Sequence, residues 1–351
     1  HIFRKKNFRD MQFKAILNIM LKKDSVVLLP TGAGKSIIYQ LAGLLTPGIT
    51  IVIDPIIALM EDQKEGLEAH GISRSAAYFS GMPDLQKKII NRGIENSEYY
   101  FIFMSPERLQ SPSFRETIAT FAQSTLINLC VIDEAHCVSE WGHDFRPAYL
   151  NLSKNIKLLF KDGNDNPPPI VALTGTASRA VLRDILIELS IDKNDKDSVI
   201  RPSSFDRKEL CFYINKSTEV DTYEATIRGS MKALPKKFGK SETDFYSASG
   251  DLTCSGIIFV PHVNGGHGVN DSKKIIEDTV KTNATLYSGT APKSMYSSSK
   301  SWDEQKRENA KEFKKNKKPI LIATKAFGMG IDKPNIRYTL HLGIPSSLEN
   351  F

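Results

Sequence analysis

VVLLPTGAGKSIIYQ, residues 26–40, decides how this chain is read. A short apolar run leads into a glycine-rich turn, then Lys35 and Ser36, then a helical segment. That order puts backbone N–H groups at a helix N-terminus, where the helix dipole favours an anion. Thr31, Gly32, Ala33 and Gly34 form the cradle, and its two glycines let the backbone close around phosphates. Lys35 can reach the outer phosphates, and the Ser36 hydroxyl can hold magnesium. The general pattern asks for glycine where Leu29 stands, so the match is to the variant PTGxGKS. A glycine-rich loop alone also fits an ordinary turn. Strand, loop and helix in succession point to a nucleoside triphosphate.

A second site must complete the first. LINLCVIDEAH, residues 126–136, is an apolar strand ending in two acids. In a parallel sheet the C-terminal strand ends line the ligand crevice. Asp133 would face the magnesium held by Ser36, and Glu134 could orient or deprotonate the attacking water. His136 could bond toward the γ-phosphate or toward a neighbouring segment. Two acids at a strand end also suit a simple helix cap. With the phosphate loop present, an NTP hydrolase explains them better.

The 351 residues are enough for two α/β domains of ordinary size. Lys and Arg outnumber Asp and Glu by 47 to 40, a net charge of +7 that suits a polyanionic partner. The basic runs, among them KEFKKNKK at 311–318, also suit solvated helix faces. Cys130, Cys137, Cys211 and Cys254 are scattered without a CxxC pair, so neither a disulfide framework nor a zinc site is indicated and a reducing compartment fits. No run approaches the length of a membrane span and no signal peptide is visible. The chain starts at His1 without Met and stops at Phe351 in mid-pattern, which reads as a piece of a longer protein.

Apolar strand-like runs at 26–29, 50–53, 76–79, 100–104, 129–132 and 170–173 alternate with helical patterns such as 85–95 and 177–189. The alternation predicts a parallel sheet with helices on both faces. A polar break at 191–202 separates a first domain, 1–200, from a second, 201–351. There the strands are expected at 210–214, 256–260, 284–287, 319–323 and 337–342, with helices near 221–234, 271–281 and 302–315. No second phosphate loop occurs, since GGHG at 265–268 lacks a following Lys. Residues 236–252 and 297–301 read as surface loops. Two α/β domains with one NTP site suggest a cleft whose closure follows the nucleotide and moves a bound polymer.

Here the residues match a family. In order, nearly the whole chain resembles the core of RecQ-type DNA helicases, within helicase superfamily two. FRDMQ, residues 8–12, resembles the adenine-recognition motif, which implies that Arg9 contacts the base and Gln12 bonds its edge. VIDPIIALMEDQ, residues 52–63, is similar to the motif that touches the DNA backbone, with Asp54 where the family usually has Ser. SPERL at 105–109 and VIDEAHCVSEWGHDFRPAY at 131–149 are the most specific signals. The latter joins the DEAH box to an aromatic-rich loop, implying that Trp141, Phe145 and Arg146 stack on or grip single-stranded bases. LTGTAS, residues 173–178, resembles the motif that couples hydrolysis to movement, with Gly175 where Ala is commoner.

In the second domain SGIIFV, 255–260, resembles the motif IV strand, and LYSGT, 286–290, a backbone-contact motif that implies Ser288 near a phosphate. ATKAFGMGIDKPNIR, 323–337, is similar to motif V, implying Thr324 on DNA phosphate and Gly330 and Asp332 facing the nucleotide. The family's motif VI, with its arginine finger, would follow Phe351, so this segment is expected to bind ATP and DNA yet hydrolyse ATP poorly. The resemblance implies two RecA-like α/β domains, the second incomplete, using ATP and Mg2+. It implies 3′-to-5′ movement on single-stranded and partial duplex DNA in repair or recombination, with no membrane partner. The location would be a bacterial cytoplasm or a eukaryotic nucleus. Two rivals stay open: a DNA-stimulated translocase that remodels protein–DNA complexes without unwinding, and a small-molecule kinase or transport NTPase that shares only the loop.

Overall fold

The computed structural model describes residues 2–79, 81–139, 146–175, 177–205, 208–215, 222–293, 301–324, 327 and 333–343. Its chain divides into two units, one reaching Glu209 and the other starting at Leu210.

The first unit alternates helices and strands: α1 (Gln12–Met20), β1 (Ser25–Leu28), α2 (Lys35–Leu45), β2 (Ile49–Ile53), α3 (Ile57–Ala69), β3 (Ser75–Tyr78) and α4 (Asp84–Glu95). It continues with β4 (Phe101–Met104), α5 (Pro112–Ser124), β5 (Ile127–Ile132), α6 (Leu152–Leu159), β6 (Ile170–Thr174), α7 (Arg179–Glu188) and β7 (Val199–Ile200). The sheet order is β3-β4-β2-β5-β6-β1-β7, and every pairing is parallel. A parallel sheet needs cover on both faces, which is why its strands read as unbroken apolar runs.

Alternation along each strand feeds two cores. In β5, Leu129 and Val131 join Ile38 and Tyr39 of α2 on one face. Cys130 and Ile132 join Ile118 of α5, Ile156 of α6 and Ile185 of α7 on the other. The six expected strands stand within two residues of their predicted places; β7 lies inside the stretch read as a break.

The second unit holds α8 (Tyr223–Lys237), α9 (Glu242–Tyr246), β8 (Ser255–Phe259), α10 (Val269–Val280), β9 (Ala284–Tyr287), α11 (Trp302–Lys314), β10 (Ile320–Ala323) and β11 (Ile336–His341). Its four strands run parallel in the order β11-β8-β10-β9.

Two expectations fail here. The stretch 210–214 is not a strand: Phe212 and Ile214 are exposed, and the Lys237 ammonium lies over the Tyr213 ring. β-propensity without a neighbouring ladder does not make a strand. The presumed surface loop 236–252 instead contains α9, capped by the Ser241 hydroxyl. Its Phe245 and Tyr246 are buried in the core, and the Tyr246 hydroxyl donates to the Met231 carbonyl. Among the described residues, no helix is long and apolar enough to cross a membrane.

Candidate nucleotide site

The phosphate loop, residues 29–34, joins β1 to α2 at the C-terminal edge of the first sheet. Gly34 is the residue that leads into α2, in the left-handed region at φ 81°. A Cβ there would also sit 2.7 Å from the Gln12 amide nitrogen, so both conformation and space call for glycine. No side chain caps α2. The Lys35 ammonium lies 3.5 Å from the Leu29 carbonyl, folded back over the loop.

Arg9 and Gln12 hold this loop from behind. The Gln12 amide donates to the Ala33 carbonyl at 2.9 Å and the Gly34 carbonyl at 3.1 Å, and its oxygen accepts from the Arg9 backbone N–H at 2.8 Å. The Arg9 guanidinium donates to the Gly32 carbonyl. Across the loop, a Cβ on Gly175 would stand 3.2 Å from both the Lys35 ammonium and the Thr31 hydroxyl. The turn after β6 thus runs close beside the loop, with little room for a side chain at Gly175.

The acids come from neighbouring strands. Ile53 of β2 pairs with Ile132 of β5, and the Asp133 N–H donates to the Ile53 carbonyl at 2.9 Å. Asp54 and Asp133 therefore leave the sheet side by side, with strands about 4.8 Å apart. Asp54 is fully buried and Asp133 nearly so. Asp133 accepts from the Glu134 N–H at 3.0 Å and from the Gln63 amide of α3 at 3.1 Å. Asp54 accepts from the Ile56 N–H at 2.9 Å through one oxygen. Its other oxygen, like the Gln63 amide oxygen, is buried and receives no donor among the described residues.

Burial first, then the Asp133 carboxylate, pushes the Asp54 carboxyl well above the usual carboxylate range. Burial first, then Glu134, likewise raises Asp133, against the lowering pull of Lys35.

Glu134 adopts the left-handed region at φ 46°, a conformation that costs an ordinary residue about 1 kcal/mol or more and that clusters at functional sites. Its carboxylate lies 3.3 Å from Nδ1 of the buried His136. The same nitrogen lies 3.1 Å from the Thr174 hydroxyl at the end of β6. His136 thus meets a neighbouring segment, one of the two options open to it. The Arg146 guanidinium donates to the Pro55 carbonyl at 2.9 Å, tying the stem of the aromatic-rich stretch to the turn after β2.

Ser36 and Asp133 supply hard oxygens, which suit magnesium. Among the described residues no three His, Cys, Asp or Glu side chains form a metal cage. Magnesium needs none, because it keeps several waters and takes oxygens from phosphates. The two buried acceptors without donors fit such a hydrated ion, whose waters are donors.

In the second unit the Ser288 hydroxyl is buried and donates to the Thr290 carbonyl at 2.7 Å. Thr324 directly follows β10 and is buried, with its N–H donating to the Tyr287 carbonyl at 3.2 Å. Trp141, Phe145, Gly330 and Asp332 lie outside the described residues. Sequence reasoning gave no role at this site to Asp54, Gln63 or Thr174. Asp54 had a signal, since it too is an acid closing an apolar strand; Gln63 meets Asp133 only through the fold.

A profile of the DEAD/DEAH box helicases matches residues 9–185, half of the chain. The chain belongs to that family. The helicase conserved C-terminal domain matches residues 255–351. A probable ATP-dependent DNA helicase, RecS, of Bacillus subtilis is 33% identical over 98% of this chain and 60% of its own length. The ATP-dependent DNA helicase RecQ of the same bacterium is 34% identical over all of this chain and 51% of its length. The chain thus spans about half to three-fifths of these curated relatives. Among solved structures, the DEAD-box helicase Mss116 bound to ssRNA and UDP-BeF superposes over 99% of this chain and 67% of its own, with a TM-score of 0.67 at 14% identity. That likeness bears on the fold: two RecA-type parallel-sheet units flanked by helices.

Proposed function

We propose that this chain is the ATP-driven core of a RecQ-type DNA helicase. The observation that carries the reading is the meeting of the phosphate loop with Asp133, Glu134 and His136 at adjoining strand ends, wired through Thr174 and Gly175 of the TGT segment. The relatives named as DNA helicases match nearly all of this chain and point to DNA as the polymer.

In this reading the N–H groups entering α2 and the Lys35 ammonium bind the β- and γ-phosphates. Arg9 and Gln12 take the adenine edge by exchanging their loop hydrogen bonds for the base. Ser36 and Asp133 are the residues that would hold magnesium, which when bound neutralises charge on the phosphate oxygens. Glu134 orients the attacking water and accepts its proton, while His136 fixes the Glu134 carboxylate. The His136–Thr174 bond then carries the change at the γ-phosphate toward residues 174–178.

Arg146, Trp141 and Phe145, together with Ser288 and Thr324, are proposed to meet a single DNA strand. Gly330 and Asp332 are proposed to meet the nucleotide. Movement is proposed to be 3′ to 5′, with unwinding in repair or recombination, in a bacterial cytoplasm or a eukaryotic nucleus.

The test is ATP turnover by the full-length protein with and without single-stranded DNA, beside strand separation on a tailed duplex. Stimulation by DNA together with 3′-to-5′ unwinding supports the reading. Stimulation without unwinding selects the translocase, and indifference to DNA rejects both.

A further inference from the structure

Asp54 is a puzzle as it stands. A carboxylate with no exposure has one oxygen served by the Ile56 N–H and one with no donor among the described residues, beside a second buried carboxylate. A buried acceptor left alone costs free energy, and native sites rarely tolerate one without a reason. The neighbouring Gln63 repeats the pattern: its amide nitrogen is spent on Asp133, and its oxygen is buried without a donor. Both orphan atoms are acceptors, and both belong to side chains that adjoin Asp133. What is missing is a set of donors, not a cation in direct contact. Magnesium brings donors of that kind, because it dehydrates reluctantly and its water ligands point hydrogens outward. The charges agree: Asp54, Asp133 and Glu134 gather against the Lys35 ammonium and the Arg146 guanidinium, three acids to two cations, an excess that a dication offsets.

We propose that Asp54 and Gln63 are positioning residues for magnesium, taking hydrogen bonds from its water ligands through Asp54 Oδ2 and the Gln63 amide oxygen. Asp133 would then hold the ion from one side while these two oxygens hold its hydration shell. The Asp54 carboxylate offers a charge as well as an acceptor, so binding of the ion would depend on this position. The inference rests on the reading of the site as one for magnesium and ATP, and its test separates the two.

Wild-type chain, Asp54→Asn and Asp54→Ala are titrated with a fluorescent, non-hydrolysable ATP analogue, first in EDTA and then across a magnesium series. Manganese binding in the presence of the same analogue is followed by loss of the free-ion electron paramagnetic resonance signal. Asn keeps the bond from Ile56 but turns a donor toward the waters; Ala removes both oxygens. The half-saturating metal concentration should rise by tenfold or more in both variants, with analogue affinity in EDTA unchanged within twofold. The proposal falls if metal dependence stays within twofold of wild type, or if affinity drops equally with and without metal. Should the wild-type chain bind no analogue under any condition, the ATP reading itself falls, and the inference with it. Asn nearly matches Asp in shape and removes a buried charge, so that variant folds, and a thermal melt verifies it.

Discussion

The two parallel sheets end in different chemistry. In the first unit β2 and β5 close on Asp54 and Asp133, and β1 opens into the phosphate loop. In the second, β9 and β10 close on Ser288 and Thr324. There Ser288 is answered within the unit: its hydroxyl goes to Thr290, and its carbonyl receives the Trp302 indole N–H at 3.0 Å, while the buried Thr285 and Tyr338 hydroxyls have no partner among the described residues. Lys333 and Asn335, from the stretch that resembles motif V, both donate to the Asn316 side chain, and the Lys333 ammonium lies 5.0 Å from the centre of the Phe313 ring. In the first unit, Asp54 and Gln63 each keep a buried oxygen without a donor among the described residues, and burial pushes the Asp54 and Asp133 carboxyls up. At the second edge the strand-end Ser288 bonds within its own unit; at the first, a buried strand-end carboxylate keeps an oxygen without a donor among the described residues. The fold supplies strand ends, and a handful of residues decides what they do.

The largest effect should come from Glu134→Gln. Analogue binding should stay within threefold while single-turnover hydrolysis drops by about a hundredfold or more. Equal loss of binding would make Glu134 structural and blunt the contrast. Next, Phe245→Ala should cost the second unit about 3–5 kcal/mol, read by denaturant unfolding, because it empties a fully buried aromatic site. Unfolding of the first unit should not change; if it does, the two units are not separable.

A smaller effect tests the buried acids. The fold raises the Asp54 carboxyl, so the folded chain holds that proton more tightly than the unfolded one. Its stability contribution is complete below the ordinary carboxylate range and is lost as pH rises through the raised value. Asp54→Asn should therefore raise the melting temperature of the metal-free chain by a few degrees at neutral pH, with the gap closing below about pH 4. A pH-independent gap would remove the buried charge from the account. Smallest of all, Ser288→Ala should shift the melt of the second unit by about 1 kcal/mol, the worth of one hydrogen bond. A fall in DNA affinity larger than that loss would support the proposed contact of Ser288 with DNA, and unchanged affinity would remove it.

The phosphate loop could be read in advance because its meaning is local: Gly34, Lys35 and Ser36 act through their order between a strand and a helix. Six of the seven strands of the first sheet were likewise visible, since burial on both faces leaves unbroken apolar runs; the two-residue β7 was not. Other features depend on what the chain meets elsewhere. LCFYI at 210–214 has the composition of a strand, but Phe212 and Ile214 face solvent. Phe245 and Tyr246 sit in a polar stretch yet fill the core of the second unit. Arg9 and Gln12 were assigned to a base by resemblance, whereas their bonds to Gly32, Ala33 and Gly34 needed the fold to bring α1 beside the loop. Asp54 was in plain view, but only the register of β2 on β5 sets it next to Asp133.

The central claim is that residues 29–36 and Asp133 form one site for magnesium and ATP. Equilibrium binding of a fluorescent ATP analogue to wild-type and Lys35→Ala chains, with magnesium, tests it most directly. The account predicts saturable binding to the wild type and at least a hundredfold weakening in the variant. Equal affinity in the two, or no binding by the wild type, would contradict it.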